Sequence, residues 1–231
     1  METISLKSNS HGISYFAFFD LDRTLIGMIS GRELVKGAYR TGLMTRSGLL
    51  KAIYLSLVFR FRIKDPLKII DHMVIWVRDI PEKKVNDLCS DLFRQVLISS
   101  IRTEGRTEIE FHKRNNAKTV ILSSAISCIC RDVAVNLGID DIICSDLEVE
   151  DGTFTGLPKG KICYGNEKAV RLQMYCEKNN STPREAWYYG DSVSDLPVLS
   201  LVGHPVCVNP DRKLKKIAEK EGWEIKYWPE K

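Results

Sequence analysis

Apolar residues are spaced in two styles along this chain. Residues 1–14 are a loose polar lead-in. Tyr15-Phe16-Ala17-Phe18-Phe19 then runs without a break into Asp20-Leu21-Asp22-Arg23-Thr24. A continuous apolar run of this kind reads as a strand buried on both faces, as in a parallel sheet covered by helices. From about Gly27 to Asn116 the spacing becomes helical. Helices are predicted at 33–39, at 47–62 with Ser47 as N-cap, and from Asp65-Pro66 onward, where Leu67, Ile70, Val74 and Val77 fall three or four apart. Ile80-Pro81 breaks that helix. Two more follow at 82–99 and 103–115; the last places Ile109 and His112 on one side.

The strand style then returns. Thr119-Val120-Ile121-Leu122 is a short buried strand ending in Ser123-Ser124. A helix follows through Ile126, Ile129, Val133 and Leu137, with Gly138 as its stop. Strands are predicted at 141–144, 186–189, 205–208 and 223–227, and helices at 167–179, 195–201 and 212–221. The alternating segment 147–154, with Asp151-Gly152 at its turn, is a hairpin. Alternating strands and helices define an α/β fold, a parallel sheet with helices on both faces. The helical block is then an insertion. Residues 1–26 and 113–231 form the core, and 27–112 form a helical cap.

Composition narrows the function classes. The chain has 231 residues, 44% hydrophobic, which suits one domain with an insertion. A formal net charge of +4 permits anionic substrates without requiring nucleic acid. The seven cysteines include no Cys-x-x-Cys pair, which argues against zinc or a dithiol redox centre. Most lie in apolar segments, where buried reduced thiols are expected, and this points to a cytoplasmic protein. The apolar segment 49–61 is interrupted by Lys51 and Arg60 and falls short of the ~20 residues that cross a bilayer. No stable membrane insertion is expected, and a buried cap helix explains the segment. Arg60, Arg62 and Lys64 read as solvated surface.

The candidate chemistry sits at predicted strand ends, where open parallel sheets bind ligands. Asp20 and Asp22 are two apart on an extended segment, so both can face one site. Ser123 follows the second strand, Lys168 opens a helix, and Asp191 and Asp195 follow the strand at 186–189. Taken alone, Ser123 is equally a helix N-cap and Lys168 a surface lysine; Lys159 and Lys161 are rival cations nearby.

Phe19-Asp20-Leu21-Asp22-Arg23-Thr24, Leu122-Ser123, Lys168 and Gly190-Asp191-Ser192-Val193-Ser194-Asp195 resemble, in order, the four motifs of the haloacid-dehalogenase superfamily. The stretch from Ser192 to Asp211 is similar to its phosphoserine-phosphatase-like subfamily IB. The resemblance implies a Rossmann-like core with a type C1 cap, and a Mg²⁺-dependent phosphatase acting on a small phosphorylated metabolite through an aspartyl-phosphate. Asp20 would be the nucleophile and Asp22 the general acid and base. Ser123, Ser124 and Lys168 would hold the phosphate, and Arg32 and Glu33 would line the pocket. Asp20 and Asp191, with the Asp22 carbonyl, would hold the metal, and Asp195 would steer the metal site and Lys168. In phosphoserine phosphatases a Glu nine positions after the nucleophile grips the amino acid. Here that position is Ile29, which argues against phosphoserine itself. A phosphotransferase or mutase on the same core, or a non-catalytic phospho-ligand-binding module, are the alternatives.

Overall fold

The structure, a computed structural model, describes residues 14–60, 69 and 71–229. Strand β1 (Phe16–Phe19) lies inside a six-stranded parallel sheet. It pairs with β2 (Lys118–Ile126) on one side and β6 (Trp187–Gly190) on the other. Beyond β2 lies β3 (Asp141–Ser145); beyond β6 lie β7 (His204–Val208) and β8 (Glu224–Lys226). The period of two along β1 divides its side chains between two cores. Ala17 and Phe19 join Ile121, Tyr189 and Val206 on one face, and Phe16 and Phe18 join Val120, Leu122 and Tyr188 on the other. Each large side chain so buried stabilises the fold by roughly 1.5–3 kcal/mol.

The insertion between β1 and β2 is helical. Helices α1 (Ser30–Arg40), α2 (Arg46–Arg60) and α3 (Glu82–Leu92) are followed by a wider turn at Phe93–Leu97 and then by α4 (Thr103–Arg114). Its apolar residues Leu34, Ala38, Val85, Leu88 and Leu92 run into the core beneath the sheet. Helix α4 buries Ile109 and His112, and the His112 ring meets Phe19 and Tyr189. In the second half, α5 (Ser127–Leu137) ends at Gly138 with φ 64°, in the left-handed conformation expected of its stop. The remaining helices are α6 (Asn166–Lys178), the single turn α7 (Leu196–Leu199) and α8 (Arg212–Glu221). The expected hairpin forms from β4 (Leu147–Glu150) and β5 (Thr153–Pro158). Asp151 and Gly152 both take positive φ at its turn, as a two-residue turn of this hand requires. The hairpin is tied to the insertion, because Asp79 N–H donates to Phe154 O (2.9 Å) and Phe154 N–H to Ile80 O (3.0 Å).

Several expectations need correction. The segment Asp71–Val77 is a 3₁₀ helix, not an α-helix; the rest of the helix expected from Asp65 falls mostly outside the described residues, as do Arg62 and Lys64. Ser47 does not cap α2. Gly48 N–H donates to Thr45 Oγ1 (3.1 Å), so Thr45 does. Helix α2 is not buried all round: Val58 faces inward, whereas Leu50, Ile53, Tyr54 and Leu57 are exposed. Not all cysteines are thiols, for Cys89 on α3 and Cys128 on α5 form a disulfide with Cα atoms 6.0 Å apart. The other five are free and buried. No helix among the described residues is long and apolar enough to cross a membrane.

Candidate active site

Three neighbouring strands deliver the polar groups to one edge of the sheet. Asp20 follows β1, Ser123 lies late in β2, and Asp191 follows β6. Asp20 N–H donates to Tyr189 O (2.9 Å), which locks the two acidic strand ends together. Gly190 must lack a side chain, because a Cβ there would sit 3.0 Å from Asp195 Cβ and 2.8 Å from the Tyr188 ring. Past it, the chain turns so that Asp195 faces back toward Asp20. One carboxylate oxygen from each of Asp20, Asp191 and Asp195 lies within 4.8 Å of the others.

Lys168 enters from the first turn of α6 and is 3% exposed, which excludes the surface-lysine reading. Its Nζ donates to Asp20 Oδ1 (2.8 Å), Asp195 Oδ1 (2.7 Å) and Tyr188 Oη (3.1 Å). Tyr188 Oη in turn donates to Asp195 Oδ1 (2.7 Å). The other Asp195 oxygen accepts from Ser192 N–H (3.3 Å) and Ser192 Oγ (3.2 Å). Both oxygens of Asp195 are therefore committed to the protein. Lys159 and Lys161 are exposed.

Asp22 points to the start of α1, where its Oδ1 accepts the Ser30 N–H (2.9 Å). Ser123 is buried, and its Oγ accepts the Ala125 N–H (3.3 Å) rather than capping α5. Ser124 is half-buried and uses its carbonyl to accept from Ser145 Oγ (2.9 Å). Arg32 is exposed. Glu33 is half-buried and pairs with Lys36 (2.7 Å) on its own helix, so neither is joined to the carboxylate cluster by a hydrogen bond or ion pair.

The charges do not balance. Asp20, Asp22, Asp191 and Asp195 face one buried ammonium and the half-exposed Arg23, whose Nε is 3.6 Å from Asp191 Oδ2. At 4.8 Å a carboxylate pair repels by about 3 kcal/mol in a partly polarisable interior. Burial accordingly pushes Asp20 up to about 6, with Lys168 pulling against it. Burial, then the charges of Asp195 and Asp20, push Asp191 up to about 8. Burial also raises Asp22, with the hydrogen bonds from Ser30 opposing. Burial works against the Lys168 ammonium, but the charges of Asp195 and Asp20 outweigh it and hold its pKa well above the usual lysine value. The oxygen-only donor set and surplus negative charge fit a hard divalent cation such as Mg²⁺. Asp20 and Asp191 are the side chains free to hold it.

Three contributors were not among the site residues expected from the sequence. Tyr188 looked like one more apolar strand residue. Arg23 carries φ 63° immediately after Asp22, which its sequence gives no reason to expect. Asp211 caps α8 through Lys213 and Leu214 N–H and also accepts Val193 N–H (3.0 Å), bracing the Asp191 loop. An Asp just before a helical run is a recognisable cap, so this one was legible.

A parallel sheet with helices on both faces, a helical insertion after the first strand, and carboxylates with one lysine at the strand ends define a hydrolase-type α/β site. The chain belongs to the haloacid dehalogenase-like hydrolases, whose family model matches residues 17–200. It is 29% identical over 212 residues to a probable phosphatase of Mycobacterium tuberculosis, covering 90% of this chain and 74% of that protein. Its fold is similar to that of a Bordetella pertussis protein of unknown function (TM-score 0.84, 22% identity, 91% of this chain and 97% of that one). It is similar also to a phosphoserine phosphatase solved as a phospho-aspartyl intermediate analogue (TM-score 0.68, 17% identity, 91% of each chain).

Proposed function

We propose that this hydrolase is a Mg²⁺-dependent phosphatase of small phosphomonoesters that works through an aspartyl-phosphate. The observation that carries the reading is Lys168 Nζ bridging Asp20 and Asp195 while Asp191 lies beside them. A lysine buried at that cost is explained if it must neutralise a nucleophile and a phosphoryl group.

In the first step an Asp20 oxygen bonds to phosphorus and the ester P–O bond breaks. Asp22 gives its proton to the departing oxygen; its raised pKa suits it to hold one. In the second step Asp22 takes a proton from water, the water oxygen bonds to phosphorus, and the Asp20–phosphorus bond breaks. Ser123 Oγ donates to a phosphoryl oxygen, and Asp195 and Tyr188 keep Lys168 aimed at Asp20. Mg²⁺, held by Asp20, Asp191 and the Asp22 carbonyl, would neutralise charge on the phosphoryl oxygens. Ile29 offers no carboxylate to a substrate ammonium, so phosphoserine is not the substrate we favour. We place the end of the cap ahead of α4, not at 112, because α4 packs on the sheet.

The test is phosphate release from p-nitrophenyl phosphate and from a panel of sugar, amino-acid and alcohol phosphates. Activity should require Mg²⁺ and vanish in Asp20→Asn while the thermal transition persists. A protein inert across the panel with Mg²⁺ overturns the reading.

A further inference from the structure

Among the described residues, helix α2 carries a run of apolar side chains left exposed on its outer side. Leu50 (68% exposed), Ile53 (47%), Tyr54 (58%) and Leu57 (47%) recur at i, i+3, i+4 and i+7 and so form one stripe. The opposite side carries buried Val58 and half-buried Leu49, Ala52 and Leu55, which seat the helix on the protein. A helix that is apolar all round is ordinarily enclosed. An exposed apolar face of this size marks a contact surface.

Charge identifies what covers it. From residue 34 to residue 58 the sequence holds Lys36, Arg40, Arg46 and Lys51 and no acid at all. Arg46 stands four residues before Leu50 at the end of the stripe, and Lys51 flanks it. Arg40, Arg46 and Lys51 are exposed and form no ion pair with a described residue. A second copy of this chain would bring the same basic charges to the contact, with no carboxylate in this segment to answer them. An anionic surface answers them directly.

We propose that the outer face of α2 docks on an anionic phospholipid bilayer. The helix lies in the plane of the headgroups, with Leu50, Ile53 and Leu57 in the acyl boundary and Tyr54 at the interface. Arg46 and Lys51 meet lipid phosphates, each strengthening binding on the order of fivefold. The attachment is peripheral. It does not depend on the phosphatase reading, since none of these residues belongs to the carboxylate site.

Co-sedimentation with vesicles tests it. The full chain should sediment with phosphatidylcholine–phosphatidylglycerol vesicles, fail to sediment with phosphatidylcholine alone, and be released by salt. The double change Arg46→Glu with Lys51→Glu should lower the partition coefficient on the order of 30-fold or more. Leu50→Ser with Ile53→Ser should also abolish sedimentation. Both variants alter exposed positions, and an unchanged thermal transition verifies their fold. No sedimentation of the wild type, or binding that survives both double changes, overturns the proposal. So does a dimer in analytical ultracentrifugation that Leu50→Ser with Ile53→Ser dissolves, since a second copy would then cover the face.

Discussion

The surplus of negative charge at the strand ends makes stability depend on pH in a way that can be worked out. Consider the protein stripped of divalent ions by a chelator. Asp191 binds its proton more tightly in the folded state, its pKa raised to about 8, than in the unfolded chain. A raised carboxyl pKa stabilises the fold while the proton is held, and that stability drains away as pH climbs toward the folded value. Asp20, raised to about 6, contributes in the same direction at lower pH. His112 works the other way. Burial lowers it to about 4, so stability recovers as pH rises from there toward the ordinary histidine value of 6.5. The two partly cancel below pH 6.5. Between about pH 6.5 and 8 the loss from Asp191 continues, with Asp22, also raised by burial, acting in the same direction; at about 1.36 kcal/mol per pH unit Asp191 alone should cost the metal-free protein about 2 kcal/mol. For a chain of this size that is roughly 4–8 °C in Tm. Urea unfolding followed by tryptophan fluorescence in a chelator, at closely spaced pH values, measures it. Mg²⁺ bound by these carboxylates, as proposed, would keep them ionised, so its stabilising effect should grow across the same interval. Asp191→Asn should flatten the slope by about 1.36 kcal/mol per pH unit. A metal-free protein whose stability is flat or rising from pH 6.5 to 8, or an Asp191→Asn variant that keeps the slope, refutes the reasoning.

Two other outcomes are expected. Lys168→Met leaves Asp20 and Asp195 without their shared cation; it should destabilise the fold by about 3–5 kcal/mol at neutral pH in denaturant unfolding, and lower kcat at least 10²-fold. Unfolded without reductant, the chain should expose five titratable thiols, the Cys89–Cys128 pair being bonded; seven would show that pair to be reduced.

The sheet was legible in the sequence for a simple reason. Strands buried on both faces must be apolar throughout, and the carboxylates and Ser123 stand where those runs stop. The hairpin was legible because Asp151-Gly152 can take positive φ cheaply. Lys168 was readable only through its motif, since nothing in a polar helix says which lysine turns inward; burial comes from Asp195 and Tyr188, which are close in space and 20 or more residues away. The 3₁₀ turn at Asp71–Val77 packs against β5, and apolar residues three or four apart do not separate a 3₁₀ helix from an α-helix. Cys89 and Cys128 are 39 residues apart and show no local pattern at all. Helix α2 was misjudged because apolar residues on every side were taken to mean enclosure on every side.

Strand β1 reaches the ribosome exit first among the described strands, yet its two neighbours are encoded at residues 118–126 and 187–190. At about 5–20 residues per second, roughly 10–30 s pass before the second of these is made. Throughout that interval Phe16-Ala17-Phe18-Phe19 has at least one unpaired edge and a bare aromatic surface. Newly made chains of this protein should therefore lean on holding chaperones far more than its modest size implies, and slowing translation ahead of residue 187 should increase the fraction lost to aggregates.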